Sequence, residues 1–389
     1  MGDLSSIYVS SFARDEGILY AGGSEYPYGP IVLSYSSGVW SPLSISGMIG
    51  DELTSITVDA NGVVYAGGYI FVGENTRPFV LSYNALAGVW TNLSGGEMGT
   101  ILSGSIRAMA TGPNGVVYAA GDKNRYPVVM SYNSLTQQWT SLSGGSINST
   151  RGRIDSITID SLGTIYAGGN SELNLIFAYR YTDTWTDIGY GGEMFSMAET
   201  INTMILGPNQ TIYAGGMYGS FPYYPYVMSL SGQVWTTLYN TSIDPRNGSI
   251  VSLQYEHGIL YAAGNTSFGV GPFVLQYDGS SWIFLPNSFS EMVNALIFDF
   301  SGAVLAGGGG YIASYQPLTI TWTSPGPSLT FNVYSIVAPA GPNRILSGLT
   351  NTYANLTNFV AQTPVQFYVT SVSTLTGLES VPSDILTYS

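Results

Sequence analysis

The sequence predicts an all-β chain: a seven-bladed β-propeller over residues 1–316, built of four-stranded blades with an incomplete seventh, followed by a small β-sandwich over residues 317–389. Three observations predict it. A short apolar motif ending in two small residues occurs seven times, as ILYAGG (18–23), VVYAGG (63–68), VVYAAG (116–121), TIYAGG (164–169 and 211–216), ILYAAG (259–264) and AVLAGG (303–308). The copies start about 44 to 53 residues apart, a period that signals a repeat architecture. Each copy has the same neighbours, and all of them read as strands.

The elements follow in order. Upstream of the motif comes an apolar alternation and a turn, as in ITVDANG (56–62) and ITIDSLG (157–163). Alternation of period two with β-branched residues marks a half-buried strand. Asn61-Gly62 and Asn114-Gly115 are hairpin turns, because both central positions of the favoured turn need positive φ. The motif is the second strand. Its closing small pair is expected to let neighbouring sheets approach closely. A third strand follows, as in FVLSY (79–83) and VVMSY (128–132). A Trp then opens the fourth, as in VWTNL (89–93) and QWTSL (138–142). Tyr and Trp are large amphipathic plates suited to the wedge between sheets. Four strands per repeat with no helix give propeller blades.

The order of apolar strand, Y-x-G-G strand, Y-ending strand and Trp strand resembles the Kelch repeat over about residues 4–316. It departs from that family in lacking the Arg commonly seen in the first strand, and two copies reduce Gly-Gly to Ala-Gly. Kelch-type propellers host unrelated activities, so the resemblance implies a fold and not a function. From about residue 317 the text changes. TITWTSPG (319–326), TFNVYSI (330–336), VQFYVTSVS (365–373) and ESVPSDILTYS (379–389) resemble a fibronectin type III module. Trp322 fits both the fourth strand of the seventh blade and the core of the sandwich. It is assigned to the sandwich, leaving the seventh blade with three strands.

Composition narrows the function. Charged residues are 9% of the 389, against about 25% in ordinary soluble domains, and the net charge is −14. Lys123 is the sole lysine and His257 the sole histidine. So acidic a chain offers no basic stripe for nucleic acid. Cysteine is absent, which excludes disulfides, thiolate metal sites and thiol catalysis. No run of about 20 apolar residues is present to span a bilayer as a helix, so no membrane insertion is expected. The opening MGDLSSIYVSS has neither basic n-region nor apolar h-region, so no secretory signal is expected there. Low charge with abundant Tyr, Ser and Thr resembles exposed surface and virion proteins. The expected location is a virion or extracellular surface. The expected partners are other structural proteins of the same particle or surface layer, or a host glycan or receptor.

Loops joining strands two to three and four to one share one end of a propeller, and here they are the longer set. Binding residues concentrate on such loops. The aromatics Tyr26, Tyr28, Tyr69, Phe71, Tyr126, Tyr218, Phe221, Tyr223 and Tyr224 all fall there. Tyr gives rigid contact area plus a hydroxyl at low entropic cost. These plates suit a ligand or glycan, or contacts with neighbouring loops and subunits. Arg151 and Arg153 share one loop and are suited to gripping a carboxylate.

Asp51, Glu52, Glu97, Glu193, Glu199, Asp244 and Glu291 lie in loops at the same end. They raise the alternative of a secreted glycosidase-like enzyme, which needs two carboxyls about 5–10 Å apart. Recurrence across blades favours a solvated surface instead, and no D-x-D-x-D-G calcium loop occurs. Kelch-like copper oxidases need His ligands and a Cys–Tyr cofactor, which this composition excludes. A Ser–His–Asp triad would have only His257 to use, and that residue falls in a tight hairpin. No catalytic residue, metal or cofactor is expected, and the chain is read as a non-enzymatic structural and recognition protein.

Overall fold

The computed structural model describes residues 6–388 except 16, 28, 37, 45–46, 143–146, 148–150, 172–175, 190–197, 220–221, 240–246, 257, 267–270, 286–290, 301, 316–317, 322–328, 338–340, 350–352, 357–364 and 384–385. The chain divides into two compact units, Met1–Tyr315 and Gln316–Ser389.

The first unit is a ring of seven antiparallel sheets. Blades 1 to 6 (7–42, 52–92, 104–141, 152–187, 198–239 and 248–284) have four strands in sequential order. Blade 7 (293–315) has three among the described residues. In blade 3, for instance, the strands are Gly104–Thr111, Val117–Lys123, Tyr126–Asn133 and Gln138–Ser141. The first strands of successive blades lie against one another around the ring, and that of blade 7 meets that of blade 1. There the ring closes end to end. Tyr8 bridges Gly309, Gly310 N donates to Ile7 O at 2.7 Å, and Asn294 Nδ2 donates to Val9 O at 3.0 Å.

The Trp of the repeat fastens blade to blade. Trp90, Trp139, Trp185, Trp235 and Trp282 each donate Nε1 to a carbonyl at or just past the end of the fourth strand of the preceding blade (Ser44, Leu93, Leu142, Ile188 and Leu238) at 2.7–2.9 Å. Within its own blade, the Trp packs on the cross-strand Tyr. Ring centroids are 5.0 Å apart for Tyr35–Trp40, 5.1 Å for Tyr83–Trp90 and 4.9 Å for Tyr277–Trp282. In blades 2 and 4 the turn between first and second strands is closed by aspartate: Asp59 Oδ1 accepts from Asn61 N and Val63 N, and Asp160 Oδ1 from Leu162 N and Thr164 N.

Every first strand carries a β-bulge at the same place. The extra residue is Ser10, Thr54, Arg107, Asp155, Asn202, Val251 or Asn294 in blades 1 to 7. All seven are half-buried. Several reach the next blade: Thr54 Oγ1 donates to Ile106 O at 2.6 Å and Asn202 Nδ2 to Ile250 O at 2.8 Å. A bulge bends its strand and re-aims the extra side chain.

The bulge also explains the closing Gly of the motif. A Cβ on Gly68 would collide with the carbonyl of Glu52, beside the bulge, and a Cβ on Gly121 with that of Ser105. The preceding position is different. A Cβ on Gly67 would meet side-chain ends of the next blade, Met109 Sδ at 2.6 Å and Ile106 Cγ2 at 2.9 Å. Those can move, so Ala120 and Ala263 occupy that position in blades 3 and 6. Arginine stands in three of the first strands, at a different position in each: Arg14 near the end, Arg107 at the bulge and Arg153 near the start.

The second unit has a two-stranded sheet, Leu318–Thr321 with Tyr353–Leu356. It also has a four-stranded sheet in the order Gly341–Leu349, Leu329–Val337, Val365–Ser373, Leu386–Tyr388. Phe331, Val333, Phe367 and Val369 are buried in it. Glu379 Oε1 accepts from Asn332 Nδ2 at 2.9 Å, from Tyr334 OH at 2.8 Å and from Thr370 Oγ1. Trp322 lies outside the described residues. Leu318–Thr321, which precedes it, pairs within this unit.

Candidate functional site: a cationic, aromatic-edged pocket on blades 2 to 4

Two of the long loops read from the sequence are protruding hairpin arms. In blade 2 the second and third strands stay paired to Val72↔Asn75, turning at Gly73-Glu74 with Gly73 at φ 64°. The run Tyr69-Ile70-Phe71-Val72 keeps strand alternation, so it continues the ladder and does not loop out. In blade 3 pairing continues to Lys123↔Tyr126, and the turn is Asn124-Arg125 with φ of 53° and 67°. A non-Gly pair in the left-handed region is uncommon, and such strain gathers at functional sites.

Between these arms lies a pocket of about 540 Å³. Tyr69 and Phe71 form one wall, with rings 5.4 Å apart and edge to face. Arg107, Arg125 and Arg153 face them from blades 3 and 4, with Glu74, Asp122, Asn75, Thr76 and Asn170 also at the lining. Arg107 is the bulge residue of blade 3, and Asp155 that of blade 4. Asp155 ties the cations down. Arg153 Nε donates to its Oδ1 at 2.8 Å and Oδ2 at 3.1 Å, and Arg107 Nε lies 3.7 Å from Oδ1. Arg107 Nε is buried with no hydrogen-bond partner among the described residues. Burial raises the Asp155 carboxyl above its ordinary range, against the opposing pull of Arg153 and Arg107. The Tyr69 hydroxyl donates to Glu52 Oε2. Its acidity is pushed down to a pKa of about 12, first by burial, then by the hydrogen bond and charge of Glu52, with Arg107 opposing.

Three further acids at this end hold protein donors. Asp51 Oδ2 accepts from Phe71 N at 2.6 Å, Asp122 Oδ1 from Ser105 Oγ at 2.7 Å, and Glu97 Oε2 from Ser141 Oγ at 2.6 Å. Among the described residues no group of three or more His, Asp or Glu is placed to hold a metal ion. His257 lies outside them.

The sequence-derived residues divide among three places. Tyr69, Phe71 and Arg153 line the pocket. Tyr126 and Arg151 sit beside it, the guanidinium 5.9 Å over the ring, and Gly152 N donates to Arg125 O at 2.8 Å to join the two blades. Tyr218, Tyr223 and Tyr224 belong to blade 5 and are half-buried. The Tyr218 ring lies 5.7 Å from Tyr224 and 6.5 Å from Tyr226, and Tyr223 O accepts from Gly248 N. Tyr218 and Tyr224 pack on their own blade, the Tyr223 carbonyl joins it to blade 6, and none of the three lines the pocket. Tyr26 projects from blade 1 at 86% exposure. Tyr28 and Phe221 lie outside the described residues. Arg107 and Arg125 escaped the sequence reading. The signal that marks them is positional: Arg77, Arg107, Lys123, Arg125, Arg151 and Arg153 put six of the ten basic residues within one stretch of 77 residues.

No protein-family model matches the sequence, and no curated protein matches it. Solved structures do. YCF48 bound to D1 peptide aligns with 80% of this chain and 94% of its own at 14% identity and a TM-score of 0.57. Virginiamycin B lyase from Staphylococcus aureus covers the same shares at 10% identity and a TM-score of 0.57. The WD40 propeller domain of Doa1 aligns with 80% of this chain and 95% of its own at 10% identity and a TM-score of 0.54. These neighbours include an enzyme and non-enzymes. Among the described residues no helix is long and apolar enough to cross a membrane. At such identities the likeness establishes the fold alone: the chain is a seven-bladed β-propeller with a small β-sheet unit at its C-terminal end.

Proposed function

We propose that this protein is a non-enzymatic recognition protein, displayed on a virion or cell surface, that binds its partner through the arm-bearing end of blades 2 to 4. One observation carries the reading: in a chain of net charge −14, six of ten basic residues gather on three adjacent blades, interleaved with Tyr69, Phe71 and Tyr126. Arg and aromatic residues at a pocket edge are the side chains that dominate binding energy. The repeat remains Kelch-like in its motif. A fibronectin type III identity for the second unit is supported by its strand order, with the third-from-last long strand central between two neighbours. Exposure at a surface accords with 9% charged residues and no cysteine.

Among the described residues the carboxylates argue against the glycosidase alternative; Glu193, Asp244 and the Glu199 side chain lie outside them. Asp51, Glu52, Glu97 and Asp122 are each engaged by a protein donor. A general acid or nucleophile must instead address a substrate oxygen or carbon.

The test is binding of the full chain to a glycan array and to candidate host cells, beside a Phe71→Ala/Tyr126→Ala/Arg151→Ala variant of unchanged melting temperature. Binding by the wild type that the variant loses is the expected result. Equal binding by both proteins, or none by the wild type, overturns the reading.

A further inference from the structure

The geometry points to a carboxylate-bearing sugar, such as a uronic acid unit, as the ligand of the pocket on blades 2 to 4; this deepens the recognition reading and rests on it. The pocket volume of about 540 Å³ falls within the range of small-ligand sites, about 300–1,000 Å³. Its chemistry is split. Arg107, Arg125 and Arg153 supply planar guanidinium donors, whose fork matches a carboxylate. Arg107 Nε is already desolvated and lacks a hydrogen-bond partner, so an incoming oxygen satisfies a donor that the fold leaves without one. Glu74, Asp122, Asn75, Thr76 and Asn170 supply acceptors and amides around it, which suit a ring of hydroxyls. Apolar surface is confined to the Tyr69–Phe71 wall, with Phe71 60% exposed, a plate for one face of a sugar ring.

The same inventory disfavours other anions. A phosphate carries up to two charges and would face Asp122 and Glu74 as well as the arginines. A singly charged carboxylate on a polyol uses both signs of charge. An apolar peptide anchor would find only one short aromatic wall. The bulges make the arrangement by construction: they place Arg107 and its counter-ion Asp155 at equivalent positions of adjacent blades, so the cation is held from below.

The experiment is calorimetric and saturation-transfer NMR titration of the full chain with methyl glucuronide, with methyl glucoside as the neutral match and inorganic phosphate as competitor. Arg125→Gly removes one guanidinium at a residue whose φ of 67° suits glycine, so the arm keeps its turn. Phe71→Ala removes the ring plate from an exposed position. The expected result is that the glucuronide binds at least about tenfold more tightly than the glucoside. Arg125→Gly is then expected to erase most of that preference, Phe71→Ala to weaken both sugars together, and phosphate to displace little. Equal affinity for the two sugars, stronger binding of phosphate, or no binding of the glucuronide each overturns the carboxylate-sugar assignment. The recognition reading fails separately, on the cell and array result above.

Discussion

Gly67 and Gly68 are adjacent glycines of one strand, yet they should respond to the same substitution to very different degrees. In Gly68→Ala the new methyl meets fixed backbone: the Glu52 carbonyl, and Leu53 Cα at 3.0 Å. The bulge at Thr54 must then open, and the inner strand loses its register with the second. Overpacking against movable side chains costs about 1–3 kcal/mol, and backbone that cannot yield puts this change at or above about 3 kcal/mol. In Gly67→Ala the methyl meets Met109 Sδ and Ile106 Cγ2 on the neighbouring blade. Met is adaptable, and alanine already stands at the equivalent positions Ala120 and Ala263. That change should cost about 1 kcal/mol or less, offset in part by the lower entropy of the unfolded chain. Thermal unfolding followed by tryptophan fluorescence reads both. Gly68→Ala should lower the melting temperature by roughly 5 °C or more and Gly67→Ala by roughly 2 °C or less. Equal losses, or a harmless Gly68→Ala, would refute the argument that the bulge dictates the glycine.

Other expectations concern different contacts. Trp139→Phe keeps an aromatic ring but leaves Leu93 O without its buried donor, so it should cost about 1–3 kcal/mol in urea unfolding. A Trp→Phe change at Trp40, for which no such bond is found among the described residues, should cost less. Tyr69 and Tyr311 both ionise only near pH 12 in the folded chain, against about 10 when unfolded. Raised values give stability that is whole below pH 10 and lost as pH rises through about 12, so melting temperatures should fall between pH 10 and 12. Absorbance at 295 nm should show some tyrosines ionising only above pH 11. In the C-terminal unit, Glu379→Ala strands three donors on one acceptor site and should speed hydrogen exchange in Val365–Ser373, leaving exchange in the propeller strands unchanged.

The blades were legible because each repeat states its strands locally. Alternation, Asn-Gly turns and the Tyr-to-Trp spacing are all short-range signals, and the last of these is a cross-strand pair in the folded blade. The bulges were not legible. Their extra residues, from Ser10 and Val251 to Arg107 and Asp155, share no side-chain chemistry, because the backbone alone defines the feature. Its one trace in the sequence is indirect: the invariant second small residue of the motif, read as a requirement for close sheet packing. Half the pocket was legible for the same reason. Tyr69, Phe71 and Arg153 are of types that stand out in a loop, whereas Arg107 sits within a strand and gains its place only through the bulge. Arg125 looked like one polar residue of a loop, and only the left-handed turn sets it at the tip of an arm.

The tryptophan bonds all run one way, from each blade to the one before it, and they join blades 1 through 6. The circle is therefore a strap with a buckle. Five like rivets hold blades 1 to 6, and the last segment relies on different fasteners, Gln254 and Asn265 toward blade 6 and the set around Tyr8 and Asn294 toward blade 1. A pull on the two ends of this unit loads that buckle first. Under force the molecule should part there in one early event, then yield blade by blade in a ladder of near-equal steps, each marking the failure of one rivet.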